Sequence, residues 1–249
     1  MNKPFRLLLT IVVVSIWALP VHATETQEVQ KKLASGEYDV IVRKSTEALQ
    51  SASRSNGDRA VALSERSGAY FALGQWDRSL EDANAAIRLK PDLAEAYFNR
   101  ANASSLASTL TRAVAESAIV DLTTAIRLKP DYDKAYRVRG NFYQFLGQTD
   151  KERADYDSAI RVAPNSAAAY VERAVFFSSH DEHARAIADY DAAIRLDPGD
   201  AFIYLLRGHG YESLGRRQQA IADYRKALSL NPDDGLSSEA LKNLGAAAH

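Results

Sequence analysis

His180-Asp181-Glu182-His183 is the one stretch of this sequence that sets two histidines close together. Imidazoles three residues apart with carboxylates between them have the donor types that a divalent metal takes. The plainer expectation is a solvated polar turn, because the stretch replaces a Leu-Gly that recurs elsewhere in the chain. A metal-binding or enzymatic protein centred on His180 and His183 stands as the less favoured alternative. No other residues suggest a reaction. The chain has no cysteine, which excludes thiolate metal ligands, disulfides and a cysteine nucleophile. It has no G-x-x-x-x-G-K-S/T, no G-x-S-x-G and no H-E-x-x-H. Glu81, Asp82, Asp155 and Asp157 alternate with basic residues and do not isolate an acid and a base. The expectation is no enzyme, no cofactor and no metal.

A second set of charges is regular. Arg66, Arg100, Arg139, Arg173 and Arg207 recur, each followed by an acid: Asp82, Asp121, Asp155, Asp189 and Asp223. These arginines fall on apolar stripes, where an unpaired cation is costly unless paired and hydrogen-bonded. Arginine and carboxylate can meet through two parallel hydrogen bonds. Counting favours pairing each Arg with the Asp that follows it, since the opposite register would strand Arg66 and Asp223. The ladder reads as structural, with binding of an anionic ligand as its alternative.

What positions these residues is a repeat. Pro130, Pro164, Pro198 and Pro232 are spaced by 34 residues, and Pro91 to Pro130 by 39. A fixed period of this size indicates stacked supersecondary units. Within the fourth repeat, Tyr136, Arg139, Gly140 and Tyr143 form a stripe at helical spacing. Gly147 ends that helix, and Pro164 ends the next. Asn165, Asp200 and Asp234 stand where the following helices need N-caps. No segment alternates with period two. The prediction is an all-α, right-handed α-solenoid of helix–turn–helix repeats at about 24–59, 60–93, 94–132, 133–166, 167–200 and 201–234, with a capping helix in 235–249. Gln50 to Arg59 is expected as a loop or frayed end. The third repeat lacks its Gly turn and has five extra residues, so its second helix is expected to extend backward.

The runs Tyr136–Gly140–Tyr143–Leu146–Gly147–Tyr156–Ala159–Pro164 and Tyr204–Gly208–Tyr211–Leu214–Gly215–Ala220–Tyr224–Ala227–Pro232 resemble tetratricopeptide repeats. The resemblance spans about residues 26 to 234. The family usually has Leu where the arginines stand. The resemblance implies a concave groove lined by the first helices, which binds a peptide or protein segment. By register, that groove would hold Phe71, Phe98, Asn102, Arg137, Asn141, Phe145, Val171, Phe202 and His209. Arg137 and Asn141 match the start of a carboxylate clamp known in the family, but Glu172, Phe202 and Leu206 depart from it.

The chain has 249 residues, 46% of them hydrophobic, and a net charge of −1, which excludes disorder and gives no pull toward nucleic acid. Its N-terminus carries Lys3 and Arg6, an apolar run from Leu7 to Leu19, and Val21-His22-Ala23. This is the pattern of a secretory signal peptide over 1–23, with no membrane span after cleavage. An uncleaved anchor is the alternative. The expectation is therefore a periplasmic or secreted bacterial scaffold, monomeric, that binds a protein or peptide partner. A self-assembling structural repeat protein is the rival reading.

Overall fold

The structure, a computed structural model, describes residues 31–51 and 53–247. The signal segment expected at 1–23 and residues 24–30 of the expected first repeat lie outside the described residues. Among the described residues the regular structure is helical, without strands.

The helices are α1 Glu37–Gln50, α2 Asn56–Ala72, α3 Trp76–Leu89, α4 Ala94–Ala107, α5 Arg112–Leu128, α6 Asp133–Phe145 and α7 Thr149–Val162. They continue as α8 Ala167–Ser179, α9 His183–Leu196, α10 Ala201–Ser213, α11 Arg217–Leu230 and α12 Gly235–Asn243. They gather into two compact units, one ending at Val162 and one beginning at Ala163. In the first, α2 packs on α3 and α4 on α5, and α6 on α7; in the second, α8 packs on α9 and α10 on α11, with α12 closing on α11.

Local chemistry sets the boundaries. Ser55 and Asp58 form a reciprocal capping box that starts α2, so the expected loop at Gln50 to Arg59 is short. Asp200 and Asp234 cap α10 and α12 through Oδ1. Before α8 the cap is Ser166, one residue past the expected Asn165. Gly74, Gly147 and Gly215 end first helices at φ near +70°, a conformation that costs a Cβ-bearing residue energy. Asp181 takes the equivalent place at φ 61°. In the third repeat α5 runs for 17 residues against 14 for α7, beginning at the cap Thr111. Most of the surplus lengthens the second helix at its start, and α4 is one residue longer than α6, at 14 against 13.

Small residues on the second helices of the repeats line much of the core. Ala118, Ala125, Ala159, Ala186, Ala193, Ala220 and Ala227 are all fully buried. Large rings fill what these leave: Tyr156 and Tyr224 lie where a Cβ on Gly140 or Gly208 would come within 2.7 and 2.6 Å of the ring. Those two glycines are required by close approach.

Candidate functional site

Each ladder arginine donates through Nε and Nη2 to both oxygens of one aspartate in its own repeat. Arg139 Nε lies 2.8 Å from Asp155 Oδ2, and its Nη2 lies 2.7 Å from Oδ1. The same fork joins Arg66 to Asp82, Arg100 to Asp121, Arg173 to Asp189 and Arg207 to Asp223. Burial pushes the Asp155 carboxyl up, and its bonds with Arg139 draw it part of the way back.

The remaining Nη1 reaches the preceding repeat. It donates from Arg66 to Thr46, from Arg100 to Asn84, from Arg139 to Thr123 and from Arg207 to Asp191. For the last three, the acceptor stands two residues beyond the aspartate of the earlier ladder pair. Aromatic rings cover the guanidinium faces: Tyr136 and Tyr143 at Arg139, Tyr204 and Tyr211 at Arg207, 5.7 to 5.9 Å from the ring centres. On Arg66, Arg100, Arg139 and Arg207, each of Nε, Nη1 and Nη2 places a hydrogen bond inside the fold. An incoming anion would have to displace a two-fold carboxylate bond, so the ladder fastens one repeat to the next.

The buried tyrosines carry a second polar series. The Tyr156 hydroxyl donates to Asn141 Oδ1 at 2.7 Å. That of Tyr224 meets His209 Nδ1 at 3.0 Å and donates to Glu212 Oε2 at 2.8 Å. Burial lowers the proton affinity of His209, which favours the neutral imidazole.

These contacts redraw the expected groove. Asn141 is 8% exposed and bonded to Tyr156, Arg137 is 7% exposed, and Val171 is fully buried. All three are buried, and Asn141 satisfies the hydroxyl of the buried Tyr156. His209 is half-buried against the Tyr224 ring. Phe202 is half-buried and packs on a core cluster that includes Tyr224 and Leu241 of the cap. Asn102 turns its amide back onto Phe98 O of its own helix at 2.9 Å.

Three phenylalanines of the first compact unit also keep part of their surface in water. Phe71 on α2 and Phe98 on α4 are half-buried, with Phe98 tilted against Tyr132 at 5.0 Å. Phe145, at the end of α6, is 43% exposed.

Glu152 was not a sequence candidate. Its carboxyl sits on α7 at 3% exposure, at a place filled by Ser79, Ala118, Ala186 and Ala220 in the other repeats. Burial pushes it up to about 8, against a hydrogen bond from Gln144. An acid at an alanine place in the repeat was the available signal.

The histidine cluster has local partners. His180 Nδ1 lies 2.8 Å from Phe176 O, and its ring rests on Phe176 at 4.3 Å. His183 Nε2 is 3.7 Å from Asp181 Oδ1. Among the described residues no group of three His, Asp or Glu side chains is placed to hold a metal ion. No described helix is long and apolar enough to cross a membrane.

Three family models match the chain. Two are described as tetratricopeptide repeat, over residues 201–234 and 139–201, and one as TPR repeat, over 69–104. No curated protein matches. Among solved structures, YrrB, described as a TPR protein with an unusual peptide-binding site, is 19% identical. The match covers 80% of this chain and 97% of that one, at a TM-score of 0.57. TTC0263, a thermophilic TPR protein of Thermus thermophilus, is 21% identical over 74% of this chain and 98% of that one, at 0.58. MamA from Desulfovibrio magneticus RS-1 is 16% identical over 73% and 99%, at 0.59. These likenesses speak for the fold.

Proposed function

Starting from a chain that carries tetratricopeptide repeats over 69–104 and 139–234, we propose that it is a non-enzymatic scaffold that binds an extended or helical segment of a protein partner. The working surface is the first-helix face of the first compact unit. The observation that carries the reading is Phe145, a large ring left 43% exposed on a first helix, with Phe71 and Phe98 half-exposed on the two preceding first helices. Large rings that stay partly in water suit pockets for apolar side chains of a bound segment. The reading includes export directed by residues 1–23, a periplasmic or secreted location, and a monomer. Mass spectrometry of the protein recovered from expressing bacteria should find a chain beginning near Thr24.

The test begins with a partner captured on the full protein. Phe98→Ala and Phe145→Ala are then compared with Arg161→Ala, an exposed site on α7, at equal folded fraction. Truncating an anchor ring should weaken binding about thirtyfold, the equivalent of about 2 kcal/mol. Arg161→Ala should bind like the parent. Equal binding by all three would reject this face. A mass that doubles with concentration in light scattering would instead favour the self-assembling reading.

A further inference from the structure

We propose that a cavity between α1, α2 and α3 binds an aromatic ring that carries a carboxylate, at a site separate from the first-helix face described above. The argument begins with a residue missing from a series. Three positions before the ladder arginine, the later repeats carry Tyr97, Tyr136, Tyr170 and Tyr204; the second repeat carries Leu63. In three of those repeats the ring lies beside the guanidinium, 5.5 Å away for Tyr97 and 5.7 Å for Tyr136 and Tyr204. The hydroxyls of Tyr97 and Tyr204 also bond to Pro91 O and Pro198 O of the turn before their helix. The segment leading into α2 has no such proline. Ring and turn are absent together, so among the described residues the ring beside Arg66 is that of Tyr70.

The place of the missing ring is a cavity of about 480 Å³. Leu49, Leu63 and Leu89 give it apolar walls, and Arg59, Arg66 and Arg88 bring three cations to it. Arg66 is committed to Asp82 and Thr46. Arg59 and Arg88 enter no ion pair among the described residues, and no carboxylate lines the space. A ring set over Leu63 would restore the second aromatic face on Arg66. Its carboxylate would meet Arg59 or Arg88, and guanidinium–carboxylate bonds are among the stronger hydrogen bonds. A neutral ring forgoes the cations, and an aliphatic acid forgoes the Arg66 face. The volume lies within the range of small-molecule pockets, on the order of 300–1,000 Å³.

The shared chemistry has two sources: a free aryl acid, or the C-terminal aromatic residue of a peptide. The experiment titrates the full protein with phenylacetate, with phenylacetamide, and with Gly-Gly-Phe as free acid and as amide, following backbone amide signals. Phenylacetate should shift the amides around Leu49, Leu63 and Leu89 saturably, and phenylacetamide should not. Leu63→Tyr, which installs what four other repeats already hold, should keep the helix content and abolish the shifts. Arg59→Gln with Arg88→Gln, at the edge of the cavity, should weaken binding at least tenfold and serves if the tyrosine variant misfolds. Free-acid peptide binding at least tenfold tighter than phenylacetate would assign the site to a chain terminus; otherwise it takes the free acid. No shifts with either acid, equal shifts with the amides, or undiminished binding by the folded Leu63→Tyr or the double variant would overturn the proposal.

Discussion

Glu152 should make this protein less stable as pH rises. The side chain is 3% exposed, and burial lifts its carboxyl to about 8 from an ordinary 4.5. Below 4.5 the group is protonated in both folded and unfolded chains, and it costs nothing in charge. Between 4.5 and 8 the unfolded chain releases the proton while the folded chain keeps it, so stability falls as pH rises. Above 8 the folded chain must hold a buried carboxylate, and the full penalty is present. A tenfold change in proton affinity is worth about 1.4 kcal/mol. A rise from 4.5 to about 8 then corresponds to a penalty on the order of 5 kcal/mol at the alkaline limit. Glu152→Gln keeps the shape and removes the titration. Urea unfolding of the two proteins at pH 4.5, 6, 7 and 8.5 should give curves that nearly coincide at the acid end. They should separate by a few kcal/mol at the alkaline end, with the variant more stable. The difference between the two isolates Glu152 from His209, whose lowered proton affinity acts at acid pH in both. A constant difference across the range, or a variant less stable at pH 8.5, would refute the reasoning.

The ladder and the turn offer two more tests. Arg139→Ala and Asp155→Ala should each cost about 3–5 kcal/mol, since each strands a buried charge, whereas the double variant should cost less than their sum; strict additivity in denaturant unfolding would reject the coupling. Asp181→Gly should raise stability by up to about 1 kcal/mol by relieving a left-handed backbone that the equivalent Gly147 and Gly215 adopt freely, and a lower melting temperature would count against it.

The helical architecture was legible because a 34-residue period leaves few alternatives. The Arg–Asp pairs were legible because a cation on an apolar stripe demands a partner at a fixed offset. The same logic, carried one step further, reaches contacts that were not anticipated. Asn84, Thr123 and Asp191 each bear an oxygen two residues past a ladder aspartate, and each accepts the spare Nη1 of the next arginine. After Asp223 no further ladder arginine follows, and that place holds Arg225, which donates instead to Ala247 O. A position that changes from acceptor to donor where its partner disappears is a signal a sequence can give. The groove was harder to read. A helical offset fixes the stripe on which a side chain starts, but not whether a buried hydroxyl fifteen residues later will claim it. Tyr156 claims Asn141 and Tyr224 engages His209, because a buried phenol without a partner costs more than an amide withdrawn from the surface. Leu63 makes the converse point. It is an apolar residue buried in an apolar cluster, so nothing about it demands notice until its four tyrosine counterparts show how much space it leaves.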